Sequence, residues 1–199
     1  MQLSDIRTRV RYYLREATAS VWTDAEINAL TNLAQRYIAS RLRPELIPGL
    51  IVLKTESISG ATSSWTLPTD FIEMVSSPYH VSAAGAYTHL PLKSHEEFVK
   101  TSGFHQTHLM YQKQESMLAD GKLYVQQTIS DGVLAYYYLK YPADLSGDSD
   151  VSNIPDSYID LVIIKVAADA LVKTRQLRES NSLLQSLETR IQMANKENK

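Results

Sequence analysis

Histidines and carboxylates occur close together twice in the middle of the chain, and both groupings could do chemistry. His105 and His108 are three residues apart, and His95 directly precedes Glu96 and Glu97. Imidazole and carboxylate groups at such spacings can hold zinc or share acid–base work. Neither grouping has a second spaced pair of ligands, however, and adjacent carboxylates on a helix point in different directions. We therefore predict neither a metal site nor a catalytic site, and interpret these histidines as ordinary loop residues.

The motifs that hold phosphate groups or activate a serine are also missing from the sequence. There is no Gly-x-x-x-x-Gly-Lys segment and no Gly-x-Ser-x-Gly segment, and residues 82–86 form only a loop of small residues. Without cysteine, the chain has no disulfide, no thiolate metal site and no thiol nucleophile. No cofactor is predicted.

Aromatic residues are concentrated in residues 136–141, where they could stack on nucleic-acid bases. A strand alternates faces, so Tyr137 and Tyr141 could pack inward with Leu139 while Tyr136 and Tyr138 line the other side. Because the surrounding sequence is not basic, packing in a core or between subunits explains this run better than nucleic-acid stacking.

Composition narrows the class of protein. The 199 residues make one large domain or two small ones, with 44% hydrophobic and 21% charged residues, as in soluble globular proteins. The net charge of −2 gives no global reason to expect a nucleic-acid partner. The first residues lack the basic and apolar regions of a signal peptide, so we expect a protein made and kept inside a cell.

The elements that must hold any site are organised around residues 154–172, the most apolar stretch of the chain. Pro155 favours a first helical turn, and Asp156 places a negative charge at the positive end of the helix dipole. The apolar positions surround this helix, which is typical of a helix packed on several sides. Interior charges argue against a membrane span. We predict a buried core helix.

Two further helices are predicted in the first fifty residues. The first has Ser4 as its N-cap and an apolar face that includes Ile6 and Val10. The second begins with a capping box formed by Thr23 and Glu26.

The first helix carries Arg7, Arg11 and Arg15 at intervals of four residues. Such like-charge pairs repel by a few tenths of a kcal/mol in an isolated helix. We therefore predict acidic groups of a neighbouring subunit opposite them. A solvated face, eased by Asp5 and Glu16, is the alternative.

In the middle of the chain the hydrophobic period changes to that of strands. Asp120-Gly121 and Asp131-Gly132 predict two hairpins within residues 116–141. Ser94 and Glu97 predict a second capping box, which starts a short helix.

After the core helix, the spacing of Leu187, Ile191 and Ala194 predicts an amphipathic helix that ends in the wholly polar residues 195–199. Together these patterns predict an α+β fold. A bundle of N- and C-terminal helices surrounds one buried helix (residues 1–49 and 150–199), with an inserted small antiparallel β-unit (residues 50–149).

This order of elements resembles the head-to-tail adaptor (head completion, connector) proteins of tailed bacteriophages, and is similar to the tubular tail protein of short-tailed phages. The resemblance is carried by Leu3-Ser4-Asp5-Ile6-Arg7, Trp22-Thr23-Asp24-Ala25-Glu26-Ile27-Asn28, Leu67-Pro68-Thr69-Asp70-Phe71, Tyr137-Tyr138-Leu139-Lys140-Tyr141-Pro142 and Ile154-Pro155-Asp156-Ser157-Tyr158. These segments appear in the same order over nearly the whole chain, although residues 79–117 carry none of them.

The resemblance implies a structural, non-enzymatic virion protein. Such proteins are made in the host cytoplasm and form a ring, usually of twelve copies, in the neck between capsid and tail. The implied partners are the portal protein, further copies of the chain, and a tail tube, nozzle or other neck protein. The implied ring extends the DNA channel, so DNA passes through it without sequence-specific binding, and no membrane is involved.

The resemblance also implies where the portal docks. In these proteins the C-terminal segment grips the portal. The corresponding residues here are Leu187, Ile191, Met193, Asn195, Lys196 and Lys199, with Leu187 and Ile191 in a supporting role. The portal is likewise a possible partner for Arg7, Arg11 and Arg15.

Two alternatives belong to other classes of protein. A nucleic-acid-binding regulator would use the first two helices, but the second is rich in leucine, alanine and asparagine instead of basic residues. A small hydrolase would use His95 or His105 with a nearby carboxylate.

Overall fold

The computed structural model of the chain describes residues 1–16, 21–104 and 114–196. In these residues the fold is mixed α and β, with five α-helices and two antiparallel sheets. The chain divides into two compact units: residues 1–50 with 141–199 form the helical unit, and residues 51–140 form the β unit.

The helices are α1 (Leu3–Tyr13), α2 (Asp24–Ala39), α3 (His95–Phe104), α4 (Ile159–Lys173) and α5 (Leu177–Lys196). The strands are β1 (Ile51–Ile58), β2 (Thr62–Thr66), β3 (Phe71–Met74), β4 (Tyr79–Val81), β5 (Tyr87–His89), β6 (Ser116–Ala119), β7 (Lys122–Ile129) and β8 (Gly132–Lys140).

Helix α4 forms the core of the helical unit, and the prediction of a buried helix here is confirmed. Ten of its 15 residues are buried, and it packs against α1, α2 and α5. It starts later than predicted, because Asp156–Tyr158 form a 3-10 turn after Pro155. Trp22, just before α2, donates its indole N–H to the Ala170 carbonyl at 3.2 Å.

The start of α2 is as predicted, whereas the start of α1 is not. The capping box of Thr23 and Glu26 is confirmed. The predicted N-cap Ser4 is wrong, because α1 already begins at Leu3, after Gln2. The backbone N–H of Leu3 donates to the Asp150 carbonyl at 2.9 Å, and that of Ser4 to the Asp148 carbonyl at 3.2 Å. A loop from the distant half of the chain thus satisfies N–H groups that a side-chain cap would otherwise serve.

The β unit contains both sheets. One has the order β1-β8-β4-β5, with β3 also pairing with β8, and the other has the order β2-β7-β6. The hairpin at Asp120-Gly121 is confirmed, since it joins β6 to β7. The hairpin predicted at Asp131-Gly132 is wrong, because β7 and β8 lie in different sheets and this turn carries the chain from one sheet to the other.

Gly132 is required at this corner by a close approach of two backbones. Its φ is +92°, and a Cβ on it would lie 2.1 Å from the carbonyl oxygen of Val81 in β4. The His80 ring nitrogen Nε2 lies 2.7 Å from the Asp131 carbonyl oxygen and joins the same turn to β4. Gly132, which the local sequence pattern assigned to a hairpin, therefore lies where the chain crosses from one sheet to the other.

The tyrosine-rich strand β8 has buried residues on both faces, and Leu139 is fully buried, as predicted. Tyr136 and Tyr138 are buried with Leu123 and Leu134, whereas Tyr137 is 42% exposed. The Tyr138 ring stacks on Phe71, with ring centroids 5.7 Å apart. The predicted placement of Tyr136, Tyr137 and Tyr138 was wrong because apolar residues occupy both faces of this strand, so alternation alone does not choose between them.

Candidate docking surfaces of the helical unit

The arginines of α1 are not equivalent. Arg7 Nη2 lies 2.6 Å from Asp148 Oδ1, and Arg11 Nη2 lies 2.7 Å from Asp24 Oδ1. Both arginine side chains are only 13% exposed. Acidic groups of the same chain therefore offset these two charges, and their mutual repulsion no longer requires a partner outside the chain.

Arg11 also links the end of α1 to the start of α2 through hydrogen bonds. It donates to Glu16 Oε2 and to the Trp22 carbonyl, each at 3.0 Å, and Glu16 is itself buried. The hydrogen bond from Arg11 lowers the pKa of the Asp24 carboxyl, with the charge of Arg7 adding to this, although burial opposes it. The role of Arg11 seen here is to fix the end of one helix to the start of the next.

Arg15 differs from the other two arginines. Its side chain is exposed and has no acidic partner within 4 Å among the described residues. Its backbone is left-handed, with φ +53°. The N–H of Arg15 donates to the Tyr12 carbonyl and that of Glu16 to the Arg11 carbonyl, which closes α1 with the Schellman pattern.

Helix α4 ends in the same way. Arg175 has φ +60° and donates its N–H to the Val172 carbonyl, while the N–H of Gln176 donates to the Leu171 carbonyl. Arg175 and, two residues into α5, Arg178 are exposed and form no ion pair in the described part of the chain.

An open cleft of about 660 Å³ lies where α1 and α4 end and α5 begins. Its lining includes Tyr13, Leu14, Arg15, Leu171, Arg178, Glu179 and Leu183, so two arginines and one glutamate contribute charge. Leu14 and Leu171 are buried and give it an apolar floor, while the arginines lie on its rim. We call this cleft, together with Arg175, the basic cleft.

The other end of α1 and α4 is acidic. Helices α1 and α4 run in the same direction, because the Met1 amino group lies 2.7 Å from Asp156 Oδ1, just before α4, while Leu14 and Leu171 meet at the cleft. Residues 144–151 pack against the start of α1, and residues 141–164 contain no lysine or arginine. We call Asp5 together with residues 144–151 the acidic end.

The six candidate portal-docking residues lie in different surroundings. Leu187 and Ile191 are buried inside the helical unit. Asn195 accepts a hydrogen bond from the Arg43 N–H at 3.0 Å and donates one to the Arg41 carbonyl at 2.9 Å, which ties α5 to the segment after α2. Met193 and Lys196 are exposed, whereas Lys199 lies outside the described residues.

A polar anchor that sequence reasoning missed also holds α5 in place. Glu188 accepts hydrogen bonds from the Tyr37 hydroxyl and from Arg41, both near the end of α2. The Arg175 and Arg178 cluster was missed as well. Its signal was the run of three cations in residues 173–178, directly after the apolar helix.

The histidine groupings give no assembled site in the part of the chain that is described. His95 starts α3, whose capping box of Ser94 and Glu97 is confirmed, while His105 and His108 lie outside the described residues. Within the described ranges, no three histidine or carboxylate side chains are grouped to hold a metal ion. Nor does any helix there combine the length and apolarity needed to cross a membrane.

Comparison with known families gives the class of protein. A family model described as SU10 adaptor protein matches residues 1–198. The chain is thus a bacteriophage adaptor, a structural component of the virion. Because the match covers both units, the chain as a whole belongs to the SU10 adaptor protein family. The comparison with curated proteins gave no match.

Proposed function

We propose that copies of this chain form a ring in the neck of the virion, between portal and tail. The ring has twelve copies, occupies the position of the tubular tail protein of short-tailed phages, extends the DNA channel and carries the tail. DNA passes through it without sequence-specific contacts. The observation that carries this proposal is the match to the adaptor family over residues 1–198.

The portal-docking part of the proposal is the end of α5. Met193 and Lys196 are exposed there, and Leu187 and Ile191 are buried beneath them and hold the helix in place. A chain that ends after Asn195 keeps the hydrogen bonds to Arg41 and Arg43 but loses the polar tip. We expect it to melt like the full chain and to lose binding to portal rings. Unaltered affinity for the portal would place the docking site elsewhere.

The tail-facing part of the proposal is the β unit. Strands β4 and β5 are joined by a tight loop in which the N–H of Ser82 donates to the Ala86 carbonyl at 2.9 Å, and residues 83–87 are exposed. Exposed loops on a rigid sheet commonly carry recognition. Deleting residues 83–86 should preserve portal binding and impair tail attachment. Loss of portal binding instead would assign the β unit to the portal side.

Electron microscopy of the chain mixed with its portal protein tests the ring itself. The expected result is a closed ring seated on the portal with twelve copies of the chain. Portal rings without added density, at protein concentrations well above those in the cell, would contradict the proposal.

A further inference from the structure

The helical unit carries opposite charges at the two ends of α1 and α4. The acidic end lies where both helices begin, and the basic cleft lies where both end, about 16 Å away along the 11 residues of α1. Helix dipoles favour acidic groups where the helices begin and basic groups where they end. The dipole does not explain, however, why two arginines occupy left-handed positions at which glycine is unstrained.

Arg15 lines the cleft, and Arg175 directly precedes the lining residue Gln176; both positions carry an arginine in spite of this backbone strain. Strained left-handed residues other than glycine cluster at functional positions, where the surrounding structure holds them in place. Neither arginine has an acidic partner in the described part of the chain, and the exposed Arg178 lines the cleft with Arg15, so that cations outnumber the single glutamate of the lining, Glu179. Leu14 and Leu171 supply an apolar floor. The cleft thus fits an acidic segment with an apolar anchor.

The acidic end combines exposed carboxylates with an exposed apolar side chain, as an occupant of the cleft requires. Residues 144–151 contain three aspartates and no cation. Asp148 and Asp144 pair with Arg7 and Arg36, yet their side chains remain 75% and 57% exposed. Val151 is 58% exposed beside them.

We propose that the acidic end of one copy docks in the basic cleft of the next copy, so that protomers associate head to tail. Two different surfaces at opposite ends of one unit make a heterologous contact, which closes into a ring when the rotation between copies allows it. This inference rests on the proposed ring and specifies which surfaces meet within it. The occupant of the cleft is a second copy of this chain.

Cysteine cross-linking tests the contact directly, because the chain has no cysteine of its own. Ser149→Cys lies in the acidic end and Ser182→Cys lines the basic cleft, and both serines are exposed. Within one copy they lie too far apart for a disulfide, which requires Cα atoms within about 7 Å. Under oxidation on the portal, the variant with both cysteines should give a ladder of covalent multimers on a non-reducing gel. Each single variant should give none.

Charge reversal provides the second arm of the experiment. Arg178→Asp and Asp148→Arg should each weaken self-association at least tenfold, and a chain that carries both changes should regain it. Arg190→Asp is the matched control, since Arg190 is exposed on the same helix outside the cleft. If loss of the Arg7 pair unfolds Asp148→Arg, Asp5→Arg replaces it, since Asp5 is exposed and has no ion pair in the described ranges.

The outcomes separate this inference from the proposed function. If the charge-reversed variants form rings as the wild type does, and the variant with both cysteines gives no ladder of multimers, the inference is overturned but the proposed ring is not. Weakened binding of Arg178→Asp that the second reversal does not restore also overturns it, because the cleft then serves another partner, such as an acidic segment of the portal. A wild-type chain that forms no rings on the portal overturns the proposed function and the inference with it.

Discussion

Arg15 and Arg175 occupy equivalent positions at the ends of two parallel helices and share a left-handed backbone, with φ of +53° and +60°. Each follows a C-cap residue, Leu14 or Thr174, and each donates its N–H back to a carbonyl of the last turn. A side chain in this region costs about 1–2 kcal/mol. The helical unit is therefore less stable than the same fold with glycine at these two positions.

Glycine at these positions should raise stability and reduce assembly together. Relief of the strain exceeds the extra entropy of glycine in the unfolded chain only slightly, so Arg15→Gly and Arg175→Gly should each gain up to about 1 kcal/mol. The corresponding rise in melting temperature is about 2–4 °C. Self-association of both variants should weaken, as measured by sedimentation velocity.

Asp120→Gly is the control for this pair. Asp120 has φ +50° in the β6–β7 turn, so it should gain similar stability without any change in self-association. A loss of stability in the arginine variants would show that their side chains stabilise the isolated fold.

The corner between β7 and β8 should tolerate no side chain at Gly132. Gly132→Ala places a methyl group 2.1 Å from the Val81 carbonyl oxygen, so it should cost about 3 kcal/mol or more, measured by urea unfolding. Gly121→Ala is the matched control. Gly121 also has positive φ, +69°, but has open space around it, so it should lose only about 1 kcal/mol. Equal losses in both variants would show that backbone strain alone sets the cost.

The capping box of α2 should make stability depend on acid pH. The hydrogen bond from Lys173, followed by those from Thr23, lowers the pKa of Glu26 from its ordinary 4.5 to about 2. Because the folded pKa is depressed, this contribution is present above about pH 4.5 and is lost as the pH falls towards 2. Unfolding of wild type and Glu26→Gln between pH 6 and 2 should therefore show a stability difference that shrinks with acidification. A difference that stays constant with pH would contradict this assignment.

The buried seam of α5 should stabilise the helical unit, whatever docks on its exposed side. Leu187 is fully buried, so Leu187→Ala should cost 2–5 kcal/mol by typical values for large-to-small core changes. Leu177, on the same helix, is 56% exposed, and Leu177→Ala should change stability by less than about 0.5 kcal/mol. Thermal unfolding followed by circular dichroism measures both variants.

Local signals in the sequence predicted local structure well. The box of Thr23 and Glu26 and the turn at Asp120-Gly121 are closed by residues within four positions of each other, so their spacing alone specifies them. The start of α1 was not predictable in this way. Its N–H groups are satisfied by Asp148 and Asp150, which lie more than 140 residues later in the chain.

Long-range pairing also explains the other differences. Asp131-Gly132 has the composition of a hairpin turn, but β7 finds its partners in β2 and β6, a choice that local spacing does not encode. The same holds for the candidate docking surfaces. The charges of Arg175 and Arg178 are visible in the sequence, whereas the cleft requires the end of α1, about 160 residues earlier.

The interruption of the helical unit by the β unit has a consequence for synthesis. Helices α1 and α2 are made first, but their packing partner α4 is complete only at Lys173, after the whole of residues 51–140. On the ribosome the β unit therefore has all its strands while the first two helices still lack a core to join. Chains truncated after residue 140 and released should accordingly resist protease only in the β unit. Since the acidic end and the basic cleft both use residues beyond 143, a chain that ends at residue 140 should not form the proposed contact.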